Sequence, residues 1–251
     1  LMKISLIAFL ARYYSKKPIH TVSKVTSLLI PLTVLTIPVL LVLNQPDLGT
    51  ALLIAMGGFI VIWLAGVKIK YFMFSIVTLI CSLPLVIAFL KPYQKLRILT
   101  FLNPERDPLG AGYQIIQSKI AIGSGGIYGK GFLNGSQSYL DYLPEKHTDF
   151  IFTLFSEEFG FIGSILLLLI YILIIYKIIS IGNASKDNFA KLFCFGFAAS
   201  FFVYVTVNMM MVLGLLPIVG APLPVMSYGG SSMLSIMIGF AIVMSAKITR
   251  S

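Results

Sequence analysis

Three carboxylates lie at the start of one apolar stretch, and carboxylates are among the side chains that transfer protons in enzymes. Asp149 precedes the run that begins at Phe150, and Glu157 and Glu158 follow eight and nine residues later. Eight residues give a net rotation of ~80° on an α-helix, so Glu157 would project within a quadrant of Asp149. The residues alone leave two roles open for Asp149, a helix N-cap or an acid/base group. Carboxylates in a span usually face protein or an aqueous cavity, which predicts a polar pocket here.

The glycine-rich stretch from Gly123 to Gly131, GSGGIYGKG, is similar to a loop that binds phosphate. Glycines let backbone N–H groups approach an anion closely. No serine or threonine follows Lys130, however, and the surrounding sequence does not predict the strand–loop–helix unit of a soluble nucleotide-binding protein. An ATP site is therefore disfavoured, and we expect this stretch to contact a phosphate that is already in the membrane.

The elements that position these residues are predicted to be membrane-spanning helices. Of the 251 residues, 58% are hydrophobic and only 11% are charged, and the mean hydropathy is +0.95; a soluble domain carries roughly 25% charged residues. Each long apolar run approaches the ~20 residues that cross a bilayer. We expect an all-α, polytopic transmembrane helix bundle with a partial helix at 1–11 that is the end of a truncated span. The six full spans are predicted at about 25–43, 48–67, 71–90, 150–176, 192–213 and 228–246.

The net charge of +10 reflects topology rather than nucleic-acid binding. Lysines and arginines cluster before the first full span, between the second and third, between the fourth and fifth, and after the last. These segments alternate, so all of them lie on one side, which the positive-inside rule identifies as the cytoplasm. There the basic residues would meet anionic lipid. The segment 91–149 and the Pro-rich segment 214–227 are then extracytoplasmic.

The segment 91–149 is about 59 residues long, far beyond an ordinary connection between packed helices. We expect a long non-helical loop, interrupted only by an amphipathic helix from Tyr113 to Ile122 that lies along the membrane surface. Its predicted apolar side carries Ile115 and Ile120, and its polar side carries Ser118 and Lys119. The irregular Pro/Gly sequence after residue 214 must be buried in protein or line a cavity.

Histidine and cysteine provide no recognisable metal site. Cys81 and Cys194 lie in apolar spans, where a thiol packs as a small hydrophobic group. His20 and His147 are the only histidines, and no metal-binding spacing is present.

Several long stretches resemble the SEDS family, whose members include RodA, FtsW and SpoVE, and two of them are most similar to the RodA branch. The stretches are QPDLGTAL (45–52), NPERDPLGAGYQIIQSKIAIGSGG (103–126), GKG (129–131), PEKHTDFIF (144–152) and PLPVMSYGGSS (222–232). The resemblance implies a bacterial peptidoglycan glycosyltransferase of ten transmembrane helices. The chain would form the C-terminal part of a single SEDS membrane domain, from the end of the fourth helix onwards.

By this resemblance, Asp149 is the catalytic general base and Lys3 is a cavity residue. Family members carry a glutamate three residues before the position of Lys3, which would fall upstream of Leu1. The implied reaction polymerises lipid II into glycan strands for lateral cell-wall elongation and rod shape. Asp149 would deprotonate the acceptor 4-hydroxyl, which attacks C1 of the donor sugar with inversion. Arg97, Lys119 and Lys130 are candidate cations for the departing diphosphate, and Glu157 is a candidate for the surrounding polar pocket.

The resemblance also implies partners and a location. The chain would lie in the bacterial cytoplasmic (inner) membrane and would work with lipid II, a class B penicillin-binding protein and the elongation machinery, without nucleic acid. A divalent cation such as magnesium could assist, but no cofactor is certain. Two alternatives stay open: a lipid II flippase, because broken helices are typical of transporter sites, and a non-catalytic scaffold for the penicillin-binding protein.

Overall fold

The structure is a computed structural model that describes residues 1–45, 47–89, 92–107, 110–135 and 147–248. All regular structure in these ranges is helical. The helices are α1 (Met2–Ser15), α2 (Ile19–Val22), α3 (Val25–Asn44), α4 (Leu48–Leu64), α5 (Ile69–Phe89), α6 (Pro92–Leu102), a 3₁₀ turn (Pro104–Arg106), α7 (Ala111–Ser124), α8 (Ile151–Ala184), α9 (Asn188–Val212) and α10 (Gly230–Ile248).

Four of these helices, α3, α8, α9 and α10, are long and apolar enough to cross a membrane. The other two predicted spans correspond to α4, which has 17 residues, and α5. The start of α4 agrees with the sequence, because the Asp47 side chain accepts a hydrogen bond of 3.0 Å from the backbone N–H of Thr50. Pro46, which precedes Asp47 in the stretch 45–52, lies outside the described residues, as do the first three residues of the stretch 144–152.

The chain forms two compact units. The first comprises Leu1–Leu83, Ile174–Val203 and Gly230–Ser251. Within it α1 packs against α3, α4 and α10, and Leu10 and Ala11 of α1 are fully buried. A row of aromatic rings on α9 stacks at one-turn intervals and contacts Phe240 of α10, which supplies apolar packing without polar groups.

The second unit comprises Pro84–Leu173 and Tyr204–Gly229, and it contains most of the predicted site. The expectation that 91–149 is non-helical is wrong, because α6 and α7 both lie in it. The predicted helix at 113–122 is confirmed as α7, and Ile115 of its predicted apolar side is buried, but the rest of the buried side differs from the predicted one. Ser118 is fully buried, whereas Ile120 is 50% exposed.

The burial of Ser118 has a hydrogen-bonding cause. Its hydroxyl lies 2.7 Å from the Thr153 hydroxyl and donates to the carbonyl of Val212, also at 2.7 Å. Two small residues of α7, Gly112 and Ala121, are also buried, and Gly112 lies against the carbonyl of Pro104, where a side chain would collide with backbone. The sequence pattern could not distinguish a hydroxyl that faces solvent from one with two buried partners.

Helix α8 is broken at Gly160, whose φ of 66° and ψ of −161° are accessible in practice only to glycine. The glycine-rich stretch pairs with both sides of this break. Backbone N–H groups of Lys130 and Gly131 donate to the carbonyls of Glu157 and Glu158, each at 3.0 Å. In return, Phe161 and Ile162 donate to the carbonyls of Gly126 and Ile127 at 2.9 and 3.2 Å.

These four bonds use backbone groups that a helix break would otherwise leave without partners. Such groups are costly in an apolar environment, so irregular backbone there requires pairing within the protein. Gly129 has a φ of 81° and lies against the Glu158 carbonyl and the Gly160 N–H, where a side chain would collide with backbone. The glycines of this stretch therefore allow a second segment to complete the hydrogen bonding of α8.

Candidate active site

Asp149 lies in the turn 147–150 that leads directly into α8. The residue is half-buried. The carboxylate faces the irregular segment after α9, since a Cβ placed on Gly220 would lie 3.6 Å from Oδ2 of Asp149. This small neighbour leaves room beside the carboxylate that a larger side chain would occupy.

The backbone around Asp149 is held by three separate donors. Asn208 Nδ2 donates to the Asp149 carbonyl at 2.8 Å, Ser227 Oγ donates to the Thr148 carbonyl at 2.6 Å, and the Tyr228 N–H donates to the His147 carbonyl at 2.9 Å. Three consecutive carbonyls thus bond to two other parts of the chain. These three bonds fix the position of the Asp149 backbone.

The two donor side chains are themselves anchored. Asn208 is fully buried in α9, and its Nδ2 also donates to the Ala221 carbonyl at 2.7 Å. Ser227 Oγ accepts a bond of 2.7 Å from the Leu223 N–H. Both residues therefore tie the turn that carries Asp149 to the segment 221–227.

The segment after α9 has further supports. The buried Tyr171 hydroxyl of α8 donates to the Pro224 carbonyl at 2.7 Å. Arg97 of α6 donates from a guanidinium nitrogen to the Ile218 carbonyl at 3.3 Å. The expectation that irregular backbone at 214–227 would be buried in protein or line a cavity is consistent with these contacts, which use carbonyls that no helix occupies.

Glu157 and Lys130, both predicted as substrate-binding residues, contact each other. Lys130 Nζ lies 2.7 Å from Glu157 Oε1, and the side chains are 29% and 0% exposed. Ser124 Oγ is 3.5 Å from the same oxygen, and a Cβ on Gly135 would lie 2.9 Å from Oε2. The buried carboxylate is thus compensated by a lysine from the glycine-rich stretch, as burial of a charge requires.

The glycine-rich stretch has little backbone left for a phosphate. The N–H groups of Gly129, Lys130 and Gly131 donate to carbonyls of Gly125, Glu157 and Glu158. An anion here would have to be bound by the lysine side chain or by other groups, because these three donors are occupied.

The other predicted cations are distributed over two units. Lys119 is exposed on α7, and its Cε and Nζ lie over Gly214, just after α9. Arg97 is exposed on α6 and belongs to the same unit. Lys3 lies on α1, in the first unit, and is half-buried.

Comparison with known proteins identifies the family. A sequence profile described as "Cell cycle protein", which represents FtsW, RodA and SpoVE, matches residues 1–251. The chain belongs to this FtsW/RodA/SpoVE family. The SEDS resemblance is therefore confirmed, and with it an all-α membrane protein.

The curated relatives of this family member include proteins named as peptidoglycan glycosyltransferases and a protein named for sporulation. The peptidoglycan glycosyltransferase MrdB of Escherichia coli (strain K12) is 46% identical over 244 residues, which cover 97% of this chain and 65% of the relative. Stage V sporulation protein E of Bacillus subtilis (strain 168) is 36% identical over 245 residues, or 97% of this chain and 66% of the relative. The chain thus spans about 65% of the length of the curated relatives it matches.

Solved structures of the family share the fold. A chain from a peptidoglycan synthase complex, described as coordinating polymerization and crosslinking, is 35% identical with a TM-score of 0.80, covering 99% of this chain and 68% of that one. The rod shape determining protein RodA of Thermus thermophilus is 26% identical with a TM-score of 0.66, covering 99% and 64%.

Two positioning residues of this family member were missed by the sequence reasoning. Asn208 and Ser227 hold the backbone of Asp149; Asn208 was not singled out, and Ser227 was noted only as part of the stretch 222–232, without this role. Asn208 carried a usable signal, because it is a strongly polar side chain inside an apolar run without charge from Leu192 to Ala246. A polar side chain in such a run usually faces a partner within the protein.

Proposed function

We propose that this chain is the polymerising part of a peptidoglycan glycosyltransferase that joins lipid II units into glycan strands for lateral wall elongation and rod shape. The observation that carries the proposal is the anchoring of Asp149. Its backbone is held by three donors, and its carboxylate lies beside Gly220 instead of forming those bonds. A general base needs such a fixed position relative to the proton that it removes.

The reaction would be a single inverting displacement. Asp149 accepts the proton of the acceptor GlcNAc 4-hydroxyl as that oxygen forms a bond to C1 of the donor MurNAc. The bond from C1 to the diphosphate oxygen breaks, and undecaprenyl diphosphate leaves with both electrons. The α-linked donor thereby becomes a β-linked product, and one well-placed base suffices for this stereochemistry.

The leaving diphosphate requires positive charge nearby. Lys119 and Arg97 are suitable because both are exposed in the unit that contains Asp149. Lys130 is also proposed to stabilise the leaving diphosphate, but less strongly, because its ammonium group already contacts Glu157. Glu157 would then act on substrate through Lys130. Lys3 is proposed as a cavity residue on the family resemblance alone.

A divalent cation such as magnesium fits the proposal as a substrate-borne ion. Within the ranges that the structure describes, no group of three His, Cys, Asp or Glu side chains could hold a metal. Magnesium commonly binds through substrate phosphates and one or two carboxylates, and Asp149 could supply one of these. When bound, it would neutralise charge on the diphosphate; no organic cofactor is proposed.

We propose the cytoplasmic membrane as the location, with the segment that contains α6 and α7 on the outer side. This assignment follows from the basic residues on the opposite side. Lipid II would be held in the outer leaflet by its polyprenyl tail. A class B penicillin-binding protein of the elongation machinery is the proposed partner, supported by the likeness to a chain of a peptidoglycan synthase complex.

The test is polymerisation of labelled lipid II by purified protein expressed from its complete gene. The Asp149→Asn variant should lose glycan product by roughly 100-fold or more, because general-base catalysis contributes about 10²–10⁴. The matched control is Asp107→Asn, which removes another half-buried carboxylate from the same unit and should retain product formation.

The same variants distinguish the alternatives. An unchanged yield of glycan polymer from the Asp149→Asn variant would refute the catalytic role of this aspartate. If wild type makes no polymer but moves labelled lipid II between leaflets of vesicles, the chain is a transporter. If Asp149→Asn restores rod shape in cells that lack the gene, the chain serves as a scaffold.

A further inference from the structure

The first unit contains an apolar crevice of about 310 Å³ among α3, α4 and α5. Its walls include Leu28 and Leu32 of α3, Phe59 of α4 and Phe74 of α5. Phe59 and Phe74 are 39% and 72% exposed, so the crevice is open to its surroundings. Its volume is at the lower end of the range of roughly 300–1,000 Å³ found for small-molecule sites, and its lining suits a hydrocarbon chain.

Three lysines are sequence neighbours of residues that line this crevice. Lys24, Lys68 and Lys70 are each adjacent in sequence to a lining residue, namely Val25, Val67 and Tyr71. The turn before α3 and the turn before α5 are joined, because the Lys68 N–H donates to Ser23 Oγ at 3.1 Å. Lys70 Nζ lies 5.3 Å from the centre of the Tyr71 ring. The basic groups and the crevice mouth are therefore next to each other.

The unit that contains this basic cluster has only two acidic residues, Asp47 and Asp187. Asp47 is the only acidic residue before residue 105, and it caps α4 at the opposite end of the 20-residue α3. Neither α3 nor α5 has an acidic residue in its first turn. Among the described residues, none of the three lysines forms an ion pair. The three lysines are exposed and are therefore available to a negatively charged group from outside the protein.

We propose that this crevice and its lysines form a binding site for an anionic phospholipid. One acyl chain would occupy the apolar crevice, and the phosphate would contact Lys24, Lys68 and Lys70. The combination of an apolar slot and a basic rim favours this occupant over a zwitterionic lipid, which fills the slot but adds no net charge. The site is independent of the glycosyltransferase proposal, since it uses none of the residues assigned there.

The experiment measures lipid binding by native mass spectrometry of the purified protein, using phosphatidylglycerol and phosphatidylcholine with identical acyl chains. Phosphatidylglycerol should bind more tightly. A membrane-proximal lysine contributes about fivefold to anionic-lipid binding, so the triple variant K24Q/K68Q/K70Q should bind phosphatidylglycerol on the order of 100-fold more weakly. Its affinity for phosphatidylcholine should be unchanged.

Two further variants distinguish binding at this crevice from nonspecific electrostatic attraction of anionic lipid to the basic surface. K177Q/K191Q/K247Q removes the same charge from other basic positions in the same unit and should retain most of the phosphatidylglycerol affinity. Ser75→Phe narrows the crevice with all three lysines intact and should weaken both lipids several-fold. Equal losses in the two triple variants, or equal affinities for the two lipids in wild type, would overturn the proposal. So would a photo-crosslinker at Leu29 that captures protein rather than lipid in native membranes.

Discussion

Asp149 and Glu157 are eight residues apart in one continuous stretch, yet the two residues differ in burial and in the groups that hold them. Asp149 is half-buried, and the bonds that locate it are made by its backbone carbonyl and those of its two predecessors. Glu157 is fully buried, and its carboxylate contacts Lys130 directly. The first arrangement holds a main chain in place, whereas the second neutralises a side chain.

The difference indicates which carboxylate can do chemistry. A group that accepts a proton during a reaction must be reachable by substrate, and its position must not depend on its own charge. Asp149 is half-buried and therefore partly accessible, and the three bonds to backbone carbonyls do not depend on the charge of its carboxylate. A buried ion pair contributes instead to the local structure, because removing one partner leaves a charge in an environment of low polarity. This contrast predicts opposite consequences for stability and activity.

The largest loss of stability is expected when Glu157 loses its cation. Lys130→Met should lower the free energy of unfolding by roughly 3–5 kcal/mol, because a fully buried carboxylate then lacks its positive partner. Glu157→Leu should cost less, since the Lys130 ammonium is partly exposed and can reach water. Denaturant titration in mixed micelles measures both. Equal costs for the two variants would contradict the structural assignment.

The next effect concerns the close approach of the glycine-rich stretch to α8. Gly129→Ala should cost more than Gly126→Ala by about 2 kcal/mol or more, although both residues have positive φ. A methyl group on Gly129 collides with the Glu158 carbonyl, whereas a Cβ on Gly126 meets nothing within 4 Å. The same unfolding measurement applies, and Gly126→Ala is the matched control. If the two variants lose similar amounts of stability, the positive φ at residue 129, and not its contact with the Glu158 carbonyl, is the reason that glycine is needed there.

Replacing Asn208 should lower both the free energy of unfolding and the polymerisation activity by moderate amounts. Asn208→Leu leaves the carbonyls of Asp149 and Ala221 without this donor, which should cost about 1–3 kcal/mol. We also expect kcat for lipid II polymerisation to fall while KM changes little, because the base is displaced and the substrate contacts are kept. Ser235→Ala is the control, since this buried hydroxyl in α10 has no hydrogen-bond partner in the described structure. A rise in KM with kcat unchanged would contradict the positioning role.

The smallest change in stability is expected at Asp149 itself. Asp149→Asn keeps the backbone carbonyl and the shape of the side chain, so the free energy of unfolding should change by less than about 1 kcal/mol. Thermal unfolding in detergent, compared with the polymerisation assay on the same preparation, tests this separation. A variant that is both inactive and several kcal/mol less stable would place Asp149 in the same structural class as Glu157.

Much of the fold could be predicted from residue type alone. Apolar length located four helices that are long enough to cross a membrane, α3, α8, α9 and α10, because crossing hydrocarbon imposes a minimum run of residues. The runs predicted as spans at 48–67 and 71–90 correspond to the apolar helices α4 and α5, and that these two cross the membrane stays a prediction. The end of α8 was less predictable: the helix continues past Lys177 to Ala184, since a lysine ends an apolar run but does not end a helix. The segment 91–149 was misjudged for a similar reason. Charges and glycines there suggested a loop, although α6 and α7 contain good helix formers.

The candidate site was predictable only in part. The family resemblance placed catalysis on Asp149 and named Glu157, Lys130, Lys119 and Arg97, and the structure adds which of these meet. Glu157 and Lys130 are 27 residues apart in sequence, and Asn208 lies 59 residues from the carbonyl to which it donates. Such partners are set by how non-adjacent segments pack, and a pattern along the chain carries no information on that.

What the sequence by itself determined is therefore the membrane character, the helical class and the family, because each depends on composition or on local motifs; the role of Asp149 stays a prediction. The tertiary structure alone decided the purpose of the glycine-rich stretch, which completes the broken helix α8, and the roles of Asn208 and Ser227. It also brought Glu157 and Lys130 together. The physical reason is common to all three: a buried polar group in an apolar environment is costly without a partner, and only the packed chain brings that partner within hydrogen-bonding distance.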